Sequence, residues 1–146
     1  MRVGELVTIQ DPLTLPENAT AMQAARAMTE RHVGAVIVTS ADGRLSGIFT
    51  ERDLMTRVVV TGKDLERTKL SEVMTRELYH VGPDVEVARV RSELQRRHVR
   101  HLPIVEHGRL VGVLSLRDIL RADLETLSHE VEDLEKYFLG GAEPLA

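Results

Sequence analysis

A chain of 146 residues, 42% hydrophobic and 29% charged, can form one compact unit or two small halves that share a core. It holds no cysteine, which excludes disulfide frameworks, thiolate nucleophiles and cysteine zinc sites. The net charge of −4, with two Phe, two Tyr and no Trp, argues against a nucleic-acid module, which needs a basic face and aromatic platforms for stacking bases.

The opening MRVGELVTIQDPLTL has no long apolar run, and no window nears the roughly 18 apolar residues that span a bilayer. The expectation is therefore a cytoplasmic protein with no membrane contact. In chain order, an extended piece ending at Pro16 leads into residues 18–31, where Ala21, Met22, Ala25, Ala27 and Met28 recur near helical spacing behind Asn18 or Thr20 as a cap. The apolar run AVIV, the turn ADGR and the run GIF then predict a hairpin of two buried strands. A second helix is expected from Thr50. Residues 61–75, TGKDLERTKLSEVMT, are polar with Gly62 as a breaker and are expected to act as a linker.

The same order follows again. An extended piece ends at Pro83, a helix over 84–97 carries Val87, Val90 and Leu94 behind Asp84, and LPIV, EHGR and GVL predict a second hairpin before a helix from Ser115. Beyond it Leu120, Leu124, Leu127, Val131, Leu134 and Phe138 advance by 4, 3, 4, 3 and 4, an a/d stripe closed by a C-cap at Gly140–Gly141. This stripe is expected to pack across a partner copy, giving a homodimer, and AEPLA to be a loose tail.

The recurrence is an internal repeat. A shift of 65 lays residues 43–54, GRLSGIFTERDL, on 108–119, GRLVGVLSLRDI, with six of twelve positions identical. Upstream, ERHVGAVIV aligns with RRHVRHLPIV at a shift of 66, and LPENATAMQAARAM with VGPDVEVARVRSEL at 67. Slips of one residue belong in loops. Two copies make a pseudo-symmetric pair of β-α-β-β-α units rather than a solenoid.

The hydroxyl and acid of Thr50-x-x-Asp53 and Ser115-x-x-Asp118 have a sufficient local explanation, because a helix start needs partners for its first amides and a hydroxyl with an acid three residues on supplies them. A free helix N-terminus following a buried strand is also an anion site. The arginines between them, Arg52 and Arg117, serve no cap. Catalytic readings find little support: no His-x-x-x-His pair with a third ligand exists, so no metal site and no enzyme is expected.

The strand–turn–strand followed by G-h-h-[ST]-x-x-D, together with LSEVMT, HVGPDVEV, RHLPIV and GVLSLRD, resembles the CBS domain, and two in tandem resemble a CBS pair, or Bateman module. The likeness covers roughly residues 5 to 123. It implies an α/β fold of two repeats packed through their sheets, with repeat 1 over 5–60, a linker over 61–70, repeat 2 over 71–123, and a C-terminal helix and tail over 124–146. It further implies a regulatory module that binds an adenosine nucleotide, AMP with ADP or ATP competing, in the cleft between repeats and modulates a partner protein, with no cofactor required.

By the same resemblance Thr50 and Ser115 would contact phosphate or ribose, Arg52 and Arg117 phosphate, and Asp53 and Asp118 the ribose hydroxyls. Arg100 and His101 would reach the phosphate tail, where arginine suits a bidentate grip. Thr8, Leu13, Thr75 and Tyr79 would border the base. The first copy has Gly34 and Ala35 in place of the basic pair, so the second cleft is the expected phosphate site. Two other readings are weighed beside this one. A ligand-free dimerisation module would use the motif only as caps, and an S-adenosylmethionine sensor would waste the basic grip.

Overall fold

The computed structural model describes residues 1–7 and 12–139. A short helix α1 (Val3–Val7) leads, and strand β1 (Thr14–Pro16), helix α2 (Ala21–Arg31) and strands β2 (Ala35–Thr39) and β3 (Leu45–Thr50) follow. β1 runs parallel to β2, and β2 antiparallel to β3. The helix begun at α3 (Glu51–Asp53) continues as a π-helical stretch over Leu54–Val59. The second copy has α4 (Leu70–Val73), α5 (Val87–Arg97), the antiparallel strands β4 (His101–Glu106) and β5 (Arg109–Ser115), and the long α6 (Leu116–Phe138).

The local rules act alike in both copies. Thr20, rather than Asn18, caps α2, with Gln23 closing the box. Thr50 and Ser115 cap their helices with Asp53 and Asp118 as the returning acids. Asp84 is not the cap of α5: Glu86 holds that place without a side-chain bond, and Asp84 instead faces Arg2. α2 and α5 both end on a histidine in the left-handed region, His32 at φ 53° and His98 at φ 54°.

Further expectations change in the structure. The leading strand of the second copy is reduced to one parallel bridge, Val81 to Ile104. In the first copy Ile37 donates its N–H to the Leu13 carbonyl, but Pro103 stands at the aligned position and has no N–H to extend the ladder. The helix from Ser115 and the a/d stripe are one element, since nothing between Leu116 and Phe138 breaks it. The C-cap expected at Gly140–Gly141 lies outside the described residues, as does the tail.

The two cores exchange their leading segments. Ala21, Ala24, Met28, Val36, Val38, Phe49 and Val58 form the first core together with Leu70, Val73 and Met74 from the stretch read as a polar linker. Val87, Val90, Leu94, Leu102, Ile104, Leu114 and Ile119 form the second, and Val3 from the chain's first residues completes it. Backbone bonds fix the exchange: Leu70 N–H donates to the Ala19 carbonyl at 2.8 Å, and Val3 N–H to the Val85 carbonyl at 2.9 Å. The repeats are thus interlocked halves, each completed by chain that precedes the other.

Gly47 is where the connecting chain crosses β3. Ile48 and Thr75 exchange backbone bonds of 3.0 and 2.9 Å, and a Cβ on Gly47 would lie 2.7 Å from the Thr75 carbonyl oxygen. Gly47→Ala should therefore cost about 1–3 kcal/mol by overpacking, read from urea unfolding. An unchanged midpoint would show that the Thr75 segment yields freely.

Among the described residues no helix is long and apolar enough to cross a membrane.

Candidate functional site

Each copy brings the start of its second helix against the start of its first hairpin strand. Glu51 N–H donates to the Gly34 carbonyl at 3.1 Å, and Leu116 N–H to the Arg100 carbonyl at 2.8 Å. These bonds set the hydroxyl-x-x-aspartate turn beside residues 34–35 in one copy and 100–101 in the other. The structure therefore gathers Ser115, Arg117, Asp118, Arg100 and His101 at the N-terminus of α6. Thr50, Arg52 and Asp53 gather at the N-terminus of α3.

The two aspartates differ in surroundings. Asp53 is 8% exposed. Its Oδ2 accepts the Thr50 N–H at 3.1 Å, the Thr75 hydroxyl lies 3.4 Å from both carboxylate oxygens, and Arg57 Nε stands 3.5 Å from Oδ1. Arg57 is held in turn by the Met74 carbonyl at 3.2 Å. This carboxylate ties its own helix to the chain that enters the second copy. Asp118 is half-buried and takes the Ser115 N–H on Oδ2 at 3.0 Å. Ala122 occupies the position aligned with Arg57.

His101 sits between the copies. A Cβ on Gly34 would lie 3.5 Å from the Glu51 carboxylate and 3.6 Å from His101 Cε1, so a glycine, a carboxylate and an imidazole from both copies share one space. Burial pushes the imidazole below its ordinary value of 6.5; Glu51 and Asp118 pull it back up, and the charges of Arg100 and Arg117 lower it further. Arg100 and Arg117 are exposed at the rim, as is Arg52 in the first copy. The second cleft thus offers exposed guanidinium groups, a near-neutral imidazole, a hydroxyl and a carboxylate at one helix N-terminus. That set suits an anion carried on a polyol.

Three of the four residues expected to border a base lie among the described residues. Leu13 packs on the first core, Thr75 is spent on Asp53, and Tyr79 packs on the second core under the Arg97 guanidinium, 4.4 Å from its ring centre. Thr8 lies outside the described residues. Reading the sequence missed Glu51 and Arg57. Their only signal was a mismatch between copies, since the aligned residues are Leu116 and Ala122. Among the described residues no group of three or more acidic or histidine side chains could hold a metal ion.

Comparison with known proteins agrees with this architecture. A family model described as CBS domain matches residues 3–60 and again 70–125. CBS domain-containing protein CBSX3, mitochondrial, of Arabidopsis thaliana is 32% identical over 126 residues, 84% of this chain and 61% of that relative's length. The structure of a putative signal-transduction protein with CBS domains from Burkholderia ambifaria superposes with a TM-score of 0.80 at 25% identity, over 86% of this chain and 95% of the other. CBS domain protein PAE2072 from Pyrobaculum aerophilum, complexed with AMP, superposes with a TM-score of 0.77 at 30% identity, over 88% of this chain and 99% of the other.

Proposed function

Because the chain belongs to the CBS-domain family, with one copy over residues 3–60 and a second over 70–125, we propose that it is a regulatory module that binds an adenosine nucleotide in its second cleft and performs no reaction of its own. AMP is the favoured ligand, with ADP or ATP competing. The observation that carries this reading is the convergence of Arg100, His101, Ser115, Arg117 and Asp118 at the start of the 23-residue α6. Phosphate placed there meets two guanidinium groups at the positive end of the α6 dipole. The ribose would lie on Asp118. The AMP held by the neighbour PAE2072 supports the ligand class.

The first cleft is assigned a structural role. Asp53 already serves Thr50, Thr75 and Arg57, so a ribose there would have to displace bonds that hold the two copies together. In that copy the ligand-free reading is the better one, and the motif works as a cap and a tie. The module signals through assembly: nucleotide sits at the root of α6, and the far part of that helix forms the surface for a homodimer and, through it, for the regulated protein.

A thermal-shift series with AMP, ADP, ATP and S-adenosylmethionine tests the ligand class, because a molecule that binds only the folded state must raise the midpoint. The adenosine phosphates should raise it most. A response to S-adenosylmethionine alone would assign a different ligand, and no response to any of the four would leave the ligand-free module.

His101 supplies a further expected result. The folded chain keeps this imidazole neutral below the pH at which the unfolded chain protonates it, so stability falls as pH drops from about 6.5 toward the lowered value. A phosphate beside Arg100 reverses the bias and favours the imidazolium over the neutral ring. Binding should therefore take up a fraction of a proton at pH 7 and tighten as the pH falls to about 6. Calorimetry in two buffers of unequal ionisation enthalpy reads the uptake directly. His101→Gln should abolish it, and equal uptake in that variant would place the titrating group elsewhere.

A further inference from the structure

We propose that α6 pairs with α6 of a second copy in antiparallel orientation, with Leu127 against Val131 of the partner subunit at the centre of the seam. The inference rests on the homodimer reading above and adds its geometry.

The body of the protein stops supporting α6 early. Ile119 is fully buried, and Asp123 is tied to Arg91 of α5, but every described residue from Leu124 onward is exposed. The helix nonetheless runs on to Phe138, about 22 Å at 1.5 Å per residue. A free helix of that length is marginal in water unless an apolar face is covered. Here the face is a single stripe: Leu120, Leu124, Leu127, Val131, Leu134 and Phe138 are between 46% and 77% exposed. Because the root is fixed by packing, the extension is nucleated and presented to a partner rather than folded back.

Charge along the helix selects both occupant and direction. With Leu124, Val131 and Phe138 at a, and Leu120, Leu127 and Leu134 at d, the e positions are Arg121, Ser128 and Glu135 and the g positions Asp123, Glu130 and Tyr137. In a parallel pair each g residue faces the e residue five places on in its partner, which sets Glu130 against Glu135 of the partner subunit twice and supplies no attraction. In an antiparallel pair all six apolar positions are matched: Leu120 lies against Phe138 of the partner subunit, Leu124 against Leu134 of the partner subunit, and Leu127 against Val131 of the partner subunit. Arg121 then meets Glu135 of the partner subunit on both sides, at the expense of one Glu130 contact across the two-fold axis. Two attractive pairs and one repulsive pair replace two repulsive pairs.

The absence of native cysteine makes the direction measurable by cross-linking. Leu127→Cys and Val131→Cys are prepared separately, one with a tag, then mixed and oxidised in the full chain. An antiparallel pair should give the mixed disulfide far faster than either variant links to itself. Self-linked products without the mixed one would mean a parallel pair and overturn the proposal. Glu135→Arg is a second, non-covalent reading. It places two arginine pairs in the antiparallel dimer and should weaken it by roughly threefold to thirtyfold, whereas in a parallel dimer it would meet Glu130 of the partner subunit and tighten it. Sedimentation of the unaltered chain separates the two levels: a monomer at tens of micromolar would sink the dimer reading itself, while a dimer indifferent to both changes would leave that reading and remove α6 from it.

Discussion

Asp118→Ala and Arg100→Ala should each lose most high-affinity nucleotide binding, while Asp53→Ala should lose little. The two aspartates hold the same place in the repeat, yet Asp53 is closed off by Thr75 and Arg57, whereas Asp118 shares its cleft with His101, Arg100 and Arg117. One charge-assisted hydrogen bond contributes about 1.5–3 kcal/mol, so each change in the second cleft should lower affinity by roughly one to two decades.

The stability of these variants should run the other way. Removing the Asp53 carboxylate leaves a half-exposed Arg57 and the Thr75 hydroxyl without their acceptor, so this variant should be destabilised by about 1–3 kcal/mol. Both aspartates also close a capping box, and Asp118→Asn, which keeps an acceptor for the cap, separates capping from recognition. Calorimetry and melting measured on the same samples decide the matter. A larger affinity loss from Asp53→Ala than from Asp118→Ala would move the working site to the first cleft.

Deleting residues 1–7 should unfold the second copy preferentially, although these residues stand first in the chain. Val3 is fully buried in the second core with Leu6 partly covered beside it. Three backbone bonds of 2.9 Å cross to that copy, from Val3 to Val85, from Gly4 to Pro83 and from Val87 to Met1. The last matters twice, since α5 begins at Val87 and its cap Glu86 makes no side-chain bond to the first amides. Uncovering one valine costs about 1.5 kcal/mol or more, and each lost backbone bond about 0.5–1.5. The total is on the order of 3–6 kcal/mol, a large share of the roughly 5–15 kcal/mol that holds a domain folded.

Hydrogen exchange shows where the loss falls. Protection should drop across Val87–Leu94 and the strands His101–Glu106 and Arg109–Ser115, and persist across Ala21–Met28. Loss confined to the first copy, or an unchanged midpoint, would contradict the exchange of leading segments between cores.

The sequence by itself determined what depends on near neighbours. Thr50 and Ser115 were legible as helix starts because a cap joins residues three apart, and the hairpins because a turn between apolar runs is a local instruction. The duplication followed from the matched order of these signals. The apolar stripe of α6 was likewise legible, as its period repeats within one helix.

Only the tertiary structure gave two equivalent motifs different surroundings. Asp53 meets Thr75 across 22 positions, and His101 shares a space with Glu51 of the other copy. No periodicity carries those encounters. Residues 61–75 read as a polar linker because Leu70, Val73 and Met74 are the only apolar residues fully buried there, too few for an amphipathic pattern until the core they enter is known. The first residues concealed their role for the same reason, since Val3 acquires a partner only when Val81–Val90 folds over it. Contacts of this kind arise from packing two pseudo-symmetric halves against each other, and the small differences that matter, Arg57 against Ala122 and Gly34 against Arg100, acquire meaning only once that packing sets what each side chain can reach.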